Sequence, residues 1–375
     1  MQISMKIMFL ISALNKGGAE RQLVTLANLL KQRGHEVKVA VSYMGGYHER
    51  ILSKAEIPII NLKKKSRWDV AFLFRLGIAL YREKPQILHS YMPSSNVQAS
   101  LVGVFFRKIK IVWGIRASNM DLERYSYSKA AKIIHSFERM LSNRVDLIIS
   151  NSESAKACLI SRGFKADNIT VISNGINTNY FVHTPCDMNE VHDEPLKIGV
   201  AARIDPMKGY EIFLQAVRIF KETYPEQKVK FIIAGGGDAA YFDKLKSLTE
   251  QLQIKEQITW LGEQNDMVRV LNSFDIYSSN SIFGEGFSNS IGEAMACEVP
   301  CVVTDVGDSA KIIGDTGILV KPDNSQELAE AWFQMINGDI KALGKRARQR
   351  TIENFSLEKL ADDSEQALMG VLSLY

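Results

Sequence analysis

The sequence has few cysteines and no long hydrophobic run. Its four cysteines in 375 residues include no Cys-x-x-Cys pair, which argues against a disulfide scaffold or a zinc site and favours reduced thiols in a core. A membrane-spanning helix needs about 20 apolar residues, whereas the best stretch, residues 70–81, is interrupted by Arg75. The apolar residues 5–11 are too few for the core of a signal peptide. We therefore expect a cytoplasmic chain whose first strand lies at residues 6–12.

Metal-binding patterns are missing as well. No Asp-x-Asp occurs, and no group of His, Asp and Glu residues has the spacing of metal ligands. We therefore predict no metal and no cofactor. A diphosphate leaving group would then depend on protein cations and helix dipoles for its stabilisation.

A large excess of charge of one sign is also lacking, but the charge is unevenly distributed. The sequence has 46 Lys plus Arg and 42 Asp plus Glu, a net charge of +4, which is too small to indicate a nucleic-acid-binding protein. Residues 1–190 hold 27 basic and 14 acidic residues, a net of +13, and the remainder holds 19 and 28, a net of −9. A strongly basic half suits an anionic partner.

Short β-branched runs alternate with segments of helical periodicity along the chain. Residues 6–12 and 36–42 predict strands and residues 20–31 a helix, which together make a βαβ unit. The polar residues 181–195 indicate a linker, after which the alternation restarts. We predict an α/β chain with a first domain at 1–190, a second at 191–355, and a last helix within 356–375 that is able to pack back on the first domain. Because open parallel sheets bind ligands beyond the carboxyl ends of their strands, we expect a ligand in a cleft between the two sheets.

Two cations follow the first predicted strand of the second domain. Arg203 and Lys208 stand five residues apart, around a proline-containing turn that leads into a helix. A loop at the carboxyl end of a strand is able to direct both at one anion, with Arg offering a bidentate fork and Lys a point charge. The alternative is that both are solvated loop charges.

The segment 283–296 combines glycines, two carboxylates and a helix start. Glu285 lies between glycines, Ser288 is a candidate N-cap, and Glu293 falls inside the predicted helix. A helix start among small residues offers free backbone N–H groups to a phosphate. Glu293 lies among apolar residues, so it needs a partner such as a sugar hydroxyl. The alternative places Glu293 on a solvated helix face and makes Glu285 a loop charge.

A third segment, residues 231–240, reads as a strand, a glycine loop and a helix. Gly235 and Gly237 fit the pattern Gly-x-Gly-x-x-Ala of dinucleotide-binding proteins. The pattern alone is weak, and no carboxylate follows about 20 residues later at the end of a second strand, since Glu263 follows Gly262 in a loop. The loop is therefore predicted to face a nucleotide without indicating NAD.

In the first domain, polar or small residues follow two predicted strands. Gly17 and Gly18 allow close backbone approach at a helix start, which suits a phosphate or a sugar. His89 and Tyr91 come at the end of the strand at 86–90 and are predicted at the cleft edge. A lone histidine at a strand end is more often structural than catalytic.

The order and spacing of these motifs resemble glycosyltransferases of the GT-B fold, specifically the large retaining family numbered 4. The resemblance covers nearly the whole chain. Its most specific element is the seven-residue spacing between Glu285 and Glu293; the other elements are residues 17–20, 173–176, Arg203 with Lys208, and 235–238. It implies two Rossmann-like domains that face a cleft.

The resemblance also implies roles for individual residues. Arg203 and Lys208 would hold the donor diphosphate, Glu293 the ribose hydroxyls, and Glu285 the transferred sugar. The catalytic candidates are Glu285, His89, Arg203 and Lys208. The donor-binding candidates are Gly17, Gly18, Gly235, Gly237, Gly262, Phe287, Ser288, Asn289, Ser290 and Glu293. Transfer would occur with retention, by same-face attack in which the leaving phosphate helps to deprotonate the acceptor, and without a metal.

One position departs from the pattern of the family. Many members carry a second His two residues after the first, whereas Tyr91 stands there in this chain and only His89 is kept. A loop further on, residues 113–121, carries Arg116, which is a candidate to meet the sugar or an acidic acceptor. Tyr91 and Arg116 are therefore the acceptor-side candidates.

A basic and aromatic segment precedes an apolar stretch in the basic half. Residues 63–68 include four cations and Trp68, and residues 70–82 are mostly apolar, a composition typical of a segment at a membrane interface. In the family the first domain takes the acceptor, so its charge suits an anionic acceptor or an anionic membrane surface. The alternative is a core-facing helix stripe of Phe72, Leu73, Leu76 and Leu80 beside a solvated loop.

We expect a glycosyltransferase that is peripheral on the inner face of the plasma membrane. Its donor would be a nucleotide sugar, with a UDP-sugar favoured, and its acceptor a lipid-linked oligosaccharide of surface polysaccharide, with no nucleic-acid partner. Three alternatives remain open at this point: an NAD-dependent oxidoreductase that uses residues 235–240, a non-catalytic protein that binds sugar nucleotides or glycans, and a sugar-nucleotide epimerase.

Overall fold

A computed structural model describes residues 4–66, 69–116, 129–184 and 194–373. Arg67 and Trp68 of the basic segment, residues 117–121 of the Arg116 loop and residues 185–193 of the predicted linker lie outside these ranges. The chain divides into two compact units, Met1–Gly175 with Leu357–Tyr375, and Ile176–Ser356. Each unit contains one parallel sheet with helices, so the predicted pair of doubly wound α/β domains is confirmed.

The first unit has a sheet of seven described strands in the order β3-β2-β1-β4-β5-β6-β7, all paired in parallel. The strands are β1 (Lys6–Ile11), β2 (Glu36–Val41), β3 (Ile59–Asn61), β4 (Ile87–Tyr91), β5 (Lys110–Ile115), β6 (Leu147–Ser150) and β7 (Ile169–Val171). The helices between them are α1 (Gly18–Gln32), α2 (Glu49–Lys54), α3 (Ala71–Glu83), α4 (Pro93–Gly103), α5 (Lys129–Leu141) and α6 (Glu153–Ser161).

The second unit repeats this arrangement with six described strands in the order β10-β9-β8-β11-β12-β13. Its strands are β8 (Leu196–Ala201), β9 (Val229–Ala234), β10 (Ile258–Gly262), β11 (Ile276–Ser279), β12 (Cys301–Thr304) and β13 (Gly317–Val320). Its helices are α7 (Tyr210–Thr223), α8 (Ala239–Gln251), α9 (Met267–Asn272), α10 (Asn289–Ala296), α11 (Ser309–Ile313), α12 (Ser325–Ile336) and α13 (Ile340–Phe355). The last helix, α14 (Leu357–Ser373), belongs to the first unit.

Hydrophobic periodicity explains how the helices cover the sheets. In α1, the predicted stripe of Leu23, Leu26, Ala27 and Leu30 is buried, because residues three and four apart share one face of a helix. The central strands are buried on both faces, as in β4, where every residue is buried. Each sheet therefore lies between two layers of packed apolar side chains.

The second unit begins earlier than the polar segment 181–195 in which composition indicates the linker. Ile176 donates its backbone N–H to the carbonyl oxygen of Phe355 at 2.7 Å. Arg348 donates to the carbonyl oxygens of Thr178 and Phe181 at 3.1 and 2.9 Å. These hydrogen bonds attach residues 176–181 to α13, so the division falls at Gly175 and not after residue 181.

Helix α14 is held on the first unit by packing and by a buried polar cluster. Leu360 and Leu368 join the core layer that α1 covers. Arg33 Nη1 bonds Glu365 Oε2 at 2.7 Å, and His35 Nε2 lies 3.0 Å from Glu365 Oε1. His35 Nδ1 accepts a hydrogen bond from the backbone N–H of Met5 at 3.2 Å. The ring proton is therefore on Nε2, which donates a hydrogen bond to the carboxylate.

Candidate functional site

In both sheets the strand order reverses between two central strands. Strands β1 and β4 are neighbours in the first sheet, and β8 and β11 are neighbours in the second. Open α/β sheets bind ligands beyond the carboxyl ends of their strands at such a switch point. The loops that follow these four strands are therefore the candidate ligand-binding loops.

The loop after β8 is tightly folded and directs Lys208 toward the loop after β11. Asp205 accepts the backbone N–H of Met207 at 3.0 Å, which fixes the turn. Gly209 has a φ of 64°, and a Cβ atom there would lie 2.0 Å from the carbonyl oxygen of Asn280, so no other residue fits. The backbone N–H of Ile282 donates to the carbonyl of Met207 at 2.9 Å. The two switch-point loops are thus bonded to one another.

Lys208 and Glu285 form a buried ion pair at this switch point. The Lys208 ammonium bonds Glu285 Oε1, and the Ser281 hydroxyl donates to the same oxygen at 2.7 Å. Burial alone would raise the pKa of Glu285, but the charge and hydrogen bond of Lys208, the Ser281 hydroxyl and the nearby charge of Arg203 outweigh it and hold that pKa below its ordinary value. Glu285 is therefore an ionised, buried carboxylate and not a solvated loop charge.

Arg203, predicted to share one anion with Lys208, lies at the surface of the same loop. Its side chain is 66% exposed and bonds Asp205 Oδ2 at 3.0 Å. An exposed pair of this kind contributes little to stability, about 1 kcal/mol at most. The guanidinium is therefore available to an anion, whereas Lys208 is already engaged by Glu285.

Helix α10 begins directly after the Glu285 loop. Ser288 is its N-cap residue but makes no side-chain bond to the backbone of the first turn, and its hydroxyl lies 3.3 Å from that of Ser290. Glu293 is buried, which excludes a solvated helix face for it. Phe287 packs edge-on against Phe355, with ring centroids 5.1 Å apart. Phe287 therefore anchors the loop to α13, and its contact with the donor stays a prediction.

The glycines after β9 are explained by contacts within the second unit. A Cβ atom on Gly235 would lie 1.9 Å from the carbonyl oxygen of Ala202, and one on Gly237 would lie 2.1 Å from that of Ile204. Gly235 also donates its N–H to the carbonyl oxygen of Gly262 at 2.8 Å. Close approach of the loop after β8 thus requires these glycines, and the dinucleotide pattern needs no dinucleotide to account for it.

In the first unit, the loop after β1 also approaches the first turn of α4, which follows β4. The Ser12 and Ser94 hydroxyls lie 3.3 Å apart. Gly17 is the N-cap of α1 and makes no side-chain cap, and a Cβ atom on it would meet the Glu20 carboxylate. Gly18 is the first residue of α1. The start of α1 thus follows β1 at the switch point, and the binding of a phosphate or sugar by Gly17 and Gly18 stays a prediction.

His89 and Tyr91 lie inside β4 and are fully buried, so the predicted position of both at a cleft edge is wrong. Arg116 follows β5 directly and meets Tyr91. Arg116 Nη2 donates to the Tyr91 hydroxyl at 2.6 Å, and Nη1 donates to Asn174 Oδ1 at 3.2 Å. His89 is fully buried beside the rings of Phe9 and Tyr91. Burial, reinforced by the charge of Arg116, holds the pKa of His89 well below its ordinary value. His89 is thus a neutral core histidine, enclosed by aromatic rings.

Several polar atoms of this cluster have no partner among the described residues. They are both ring nitrogens of His89, Nε of Arg116 and the side-chain oxygen of Asn151. The contacts of Arg116 within the described ranges include no carboxylate. A partly buried guanidinium held by a phenol and an amide keeps its full positive charge, which favours an anionic ligand.

Two residues of these clusters were not predicted from the sequence. Ser281, which bonds Glu285, belongs to the polar run 278–281 at the end of β11 and just after it, and that run is the signal that indicates it. Asn174, which holds Arg116, lies in the segment 173–176 that the family resemblance highlights without giving it a role. The pairing of Lys208 with Glu285 has no signal in the sequence.

Within the described ranges, no group of three or more His, Cys, Asp or Glu residues is placed to hold a metal ion. Over the same ranges, no helix combines the length and the hydropathy that a bilayer crossing requires. Cys297 and Cys301 are buried, and burial raises the pKa of the Cys297 thiol to about 12.

Models of two glycosyltransferase families match successive parts of the chain. The model described as Glycosyltransferase Family 4 matches residues 16–180, and that described as Glycosyl transferases group 1 matches residues 188–354. The class that the fold and these matches define is the GT-B glycosyltransferases. The chain belongs to this class, with a domain of each kind.

Individual relatives are similar over nearly the full chain at low identity. An N-acetylgalactosamine-N,N'-diacetylbacillosaminyl-diphospho-undecaprenol 4-alpha-N-acetylgalactosaminyltransferase from Campylobacter jejuni is 23% identical, over 97% of this chain and 100% of its own. An N-acetyl-alpha-D-glucosaminyl L-malate synthase from Bacillus anthracis is 21% identical, over 95% and 94%. The crystal structure of Anabaena HepE in complex with UDP has a TM-score of 0.85 and 21% identity, and covers 98% of this chain and 100% of that one. The structural likeness confirms the GT-B fold.

Proposed function

We propose that the chain is a retaining, metal-independent glycosyltransferase that moves a hexose or N-acetylhexosamine from a nucleoside-diphosphate sugar to a lipid-linked glycan of surface polysaccharide assembly. The observation that carries the proposal is the buried Lys208–Glu285 pair at the β8/β11 switch point, with the exposed Arg203 on the same loop. UDP is the favoured nucleotide, because structures of a similar fold contain UDP and UDP-glucose.

In this proposal the second unit binds the donor and stabilises its leaving group. Arg203 and Lys208 hold the diphosphate, and the first turn of α10, at Asn289 and Ser290, adds backbone N–H groups and the positive end of the helix dipole. Glu293 accepts from the ribose hydroxyls. Glu285, kept ionised by Lys208, accepts from hydroxyls of the transferred sugar.

The chemistry that follows needs no protein nucleophile. As the bond from the anomeric carbon to the diphosphate oxygen breaks, the acceptor oxygen attacks the same face, and its proton passes to the departing phosphate oxygen. The cations at the diphosphate stabilise the charge that develops there. This distribution of roles suits a buried, neutral His89, which we assign to positioning Tyr91 and Arg116 and not to proton transfer.

The acceptor is proposed to carry an anionic group that meets Arg116. The relative from Campylobacter jejuni is named for a glycan on diphospho-undecaprenol, and a guanidinium that has no carboxylate partner among the described residues suits such a diphosphate. The basic charge of residues 1–190 points the same way.

A transfer assay tests the proposal. Nucleotide sugars are offered one at a time with undecaprenyl-diphosphate-linked glycans, the released nucleoside diphosphate is quantified, and the anomeric configuration of the product is read by NMR. We expect turnover with a UDP-sugar, without added metal and with the donor configuration retained. Absence of turnover with every donor, or an inverted product, would contradict the proposal.

A further inference from the structure

The loop between β2 and α2, residues 42–48, carries exposed apolar side chains at the carboxyl edge of the first sheet. We call it the β2 loop. Tyr43, Met44 and Tyr47 lie within five residues and are 40 to 58% exposed. A loop that only connects two elements is usually built from Gly, Pro, Asn, Asp and Ser. Exposed aromatic rings beside a ligand-binding edge instead indicate recognition of a ligand.

The β2 loop is fixed against the loop after β1. The backbone N–H groups of Tyr43 and His48 donate to the carbonyl oxygens of Ser12 and Leu14, both at 2.9 Å. Glu49 Oε1 accepts two further backbone N–H groups of the β2 loop, at 2.7 and 2.8 Å. The side chains of the loop are therefore held in place before a ligand arrives, which lowers the entropic cost of binding.

The ring of Tyr47 contacts a cation and an imidazole. The Lys16 ammonium, from the loop after β1, lies 5.1 Å from the ring centroid. The His48 ring stands at 83° to the Tyr47 ring, with the two centroids 5.1 Å apart. Tyr47 nevertheless stays 58% exposed. Such a ring offers an apolar face to the C–H groups of a sugar, and the ammonium and imidazole beside it are able to bond sugar hydroxyls.

Two buried polar atoms of the β2 loop have no hydrogen-bond partner within the described residues. They are Nδ1 of His48 and Oγ of Ser42. Burial, reinforced by the charge of Arg21, lowers the pKa of His48, so its ring is neutral at pH 7. A neutral imidazole nitrogen and a hydroxyl exchange hydrogen bonds readily with other hydroxyls. Because unpaired buried polar groups are costly, these atoms favour a polyhydroxylated ligand at this loop.

The β2 loop and Arg116 lie on opposite sides of the switch point of the first sheet. In the strand order β2-β1-β4-β5, the loop follows β2 and Arg116 follows β5. Neighbouring strands are about 4.8 Å apart, so three spacings separate the two strand ends by about 14 Å. With the acceptor diphosphate at Arg116, as proposed above, a sugar at Tyr47 is a later one in the glycan and not the one joined to the diphosphate.

We propose that Tyr47 is the platform of a second acceptor subsite, which binds a sugar beyond the one joined to the diphosphate. The sugar ring stacks on the Tyr47 ring, and Lys16 and His48 bond its hydroxyls. The subsite selects acceptors by the length of their glycan. An earlier sugar transfer to the same lipid diphosphate must then supply the acceptor. The inference rests on the proposed function, whose acceptor it narrows to glycans of more than one sugar.

Binding of free oligosaccharides tests the subsite without turnover. Saturation-transfer NMR with the full-length chain compares monosaccharides and trisaccharides of glucose, galactose and N-acetylglucosamine, with no donor present. We expect transfer to at least one trisaccharide, its loss in Tyr47→Ala, and its recovery in Tyr47→Phe and Tyr47→Trp, which keep an aromatic face. The matched control is Tyr180→Ala, since Tyr180 in the second unit is 53% exposed. No transfer to any trisaccharide, or equal transfer in Tyr47→Ala and the parent, would overturn the subsite.

Transfer kinetics measure the selection by length. Undecaprenyl diphosphate that carries three sugars is compared with undecaprenyl diphosphate that carries one. The parent should have the lower KM for the longer acceptor, and Tyr47→Ala should raise that KM by about tenfold. The donor KM and thermal unfolding should stay unchanged.

A parent that prefers the one-sugar acceptor, or an unchanged KM for the longer acceptor in Tyr47→Ala, would overturn the selection by length. Absence of turnover with every acceptor would contradict the proposed function alone, because the NMR test needs no transfer.

Discussion

The carboxyl edges of the two sheets differ in how their buried polar groups are paired. In the second unit, Glu285 is satisfied by Lys208 and Ser281, and its charge is fixed in place. In the first unit, the guanidinium of Arg116 has no carboxylate and the ring of His89 has no hydrogen-bond partner within the described residues. Because unpaired buried polar groups are costly, the difference fits the roles that we propose, a preorganised donor site in one unit and an acceptor site completed by its ligand in the other.

Breaking the pair in the second unit should have the largest effect. Lys208→Ala leaves Glu285 as an unpaired buried charge, so we expect a loss of about 3 to 5 kcal/mol in the free energy of unfolding and a fall of about 10³-fold in kcat/KM for the donor. Chemical denaturation and the transfer assay measure the two effects.

The matched control is Lys244→Ala. Lys244 also pairs with a glutamate, Glu211, but its side chain is 66% exposed, so both quantities should stay close to those of the parent. Equal behaviour of the Lys208 and Lys244 variants would show that the buried pair has no special role.

A substitution of Arg203, in the same loop as Lys208, should affect donor use but not the stability of the fold. Arg203→Ala should lower kcat/KM for the donor by about 10²-fold, while the free energy of unfolding changes by less than about 0.5 kcal/mol because the side chain is exposed. Arg346→Ala is the control, since it removes another exposed Arg–Asp pair. An unchanged kcat/KM for the donor in Arg203→Ala would remove Arg203 from the donor site.

A substitution of Arg116 tests the proposed role of the first unit in acceptor binding. Arg116→Lys keeps the charge but loses the fork that bonds Tyr91 and Asn174. We expect the KM for an anionic acceptor to rise by about tenfold, with the donor KM unchanged. Initial rates with each substrate varied in turn measure this. A rise in the donor KM alone would contradict acceptor binding by the first unit and would place Arg116 at the donor instead.

Tyr91→Phe should have a smaller effect of the same kind. It removes the hydroxyl that accepts from Arg116 but keeps the ring, which lies 4.7 Å from the guanidinium carbon. The hydrogen bond from the charged guanidinium contributes about 1.5 kcal/mol or more, but the bond to Asn174 and the ring contact still hold Arg116, so the acceptor KM should rise only by about fivefold. A larger effect than that of Arg116→Lys would make the hydroxyl, and not the guanidinium, the main acceptor contact.

The two edges should also differ in the pH range over which they affect stability. His89 and Glu285 both have folded pKa values below their ordinary values of 6.5 and 4.5. In each case the unfolded chain binds a proton at a higher pH than the folded chain does. The free energy of unfolding therefore falls as the pH drops below the ordinary pKa of the group. His89→Gln should flatten the fall that begins at about pH 6.5, and Glu285→Gln only the fall below about pH 4.5. Denaturation curves at a series of pH values measure both, and identical pH profiles for the two variants would contradict the assignment.

Much of the framework could be predicted from patterns that depend on local geometry. The βαβ alternation gives the two sheets, and strand-end positions give the loops that carry Arg203 and Glu285, because parallel strands share one carboxyl edge. His89 and Tyr91, expected at the end of a strand, instead lie inside β4. The short elements α2 and β3 escape this reasoning, since six and three residues show too little periodicity. The start of the second unit at Ile176 depends on hydrogen bonds to α13, which composition does not report.

Contacts between distant segments could not be predicted. Lys208 and Glu285 meet because Gly209 lets one loop pass against Asn280, and no spacing encodes that approach. The residues 70–82 illustrate a second limit. Helix α3 has apolar residues on two opposite sides. Hydropathy therefore does not indicate which side packs on the sheet, or that Phe74 and Tyr81 are exposed.

Equilibrium binding of UDP tests the central claim most directly. Calorimetric titration of UDP, and separately of NAD, is carried out with the parent and with Arg203→Ala/Lys208→Ala. The account predicts that UDP binds the parent, that NAD does not, and that the double variant loses UDP binding. Binding of NAD in place of UDP, or undiminished UDP binding by the double variant, would contradict a nucleotide-sugar site at the β8/β11 switch point.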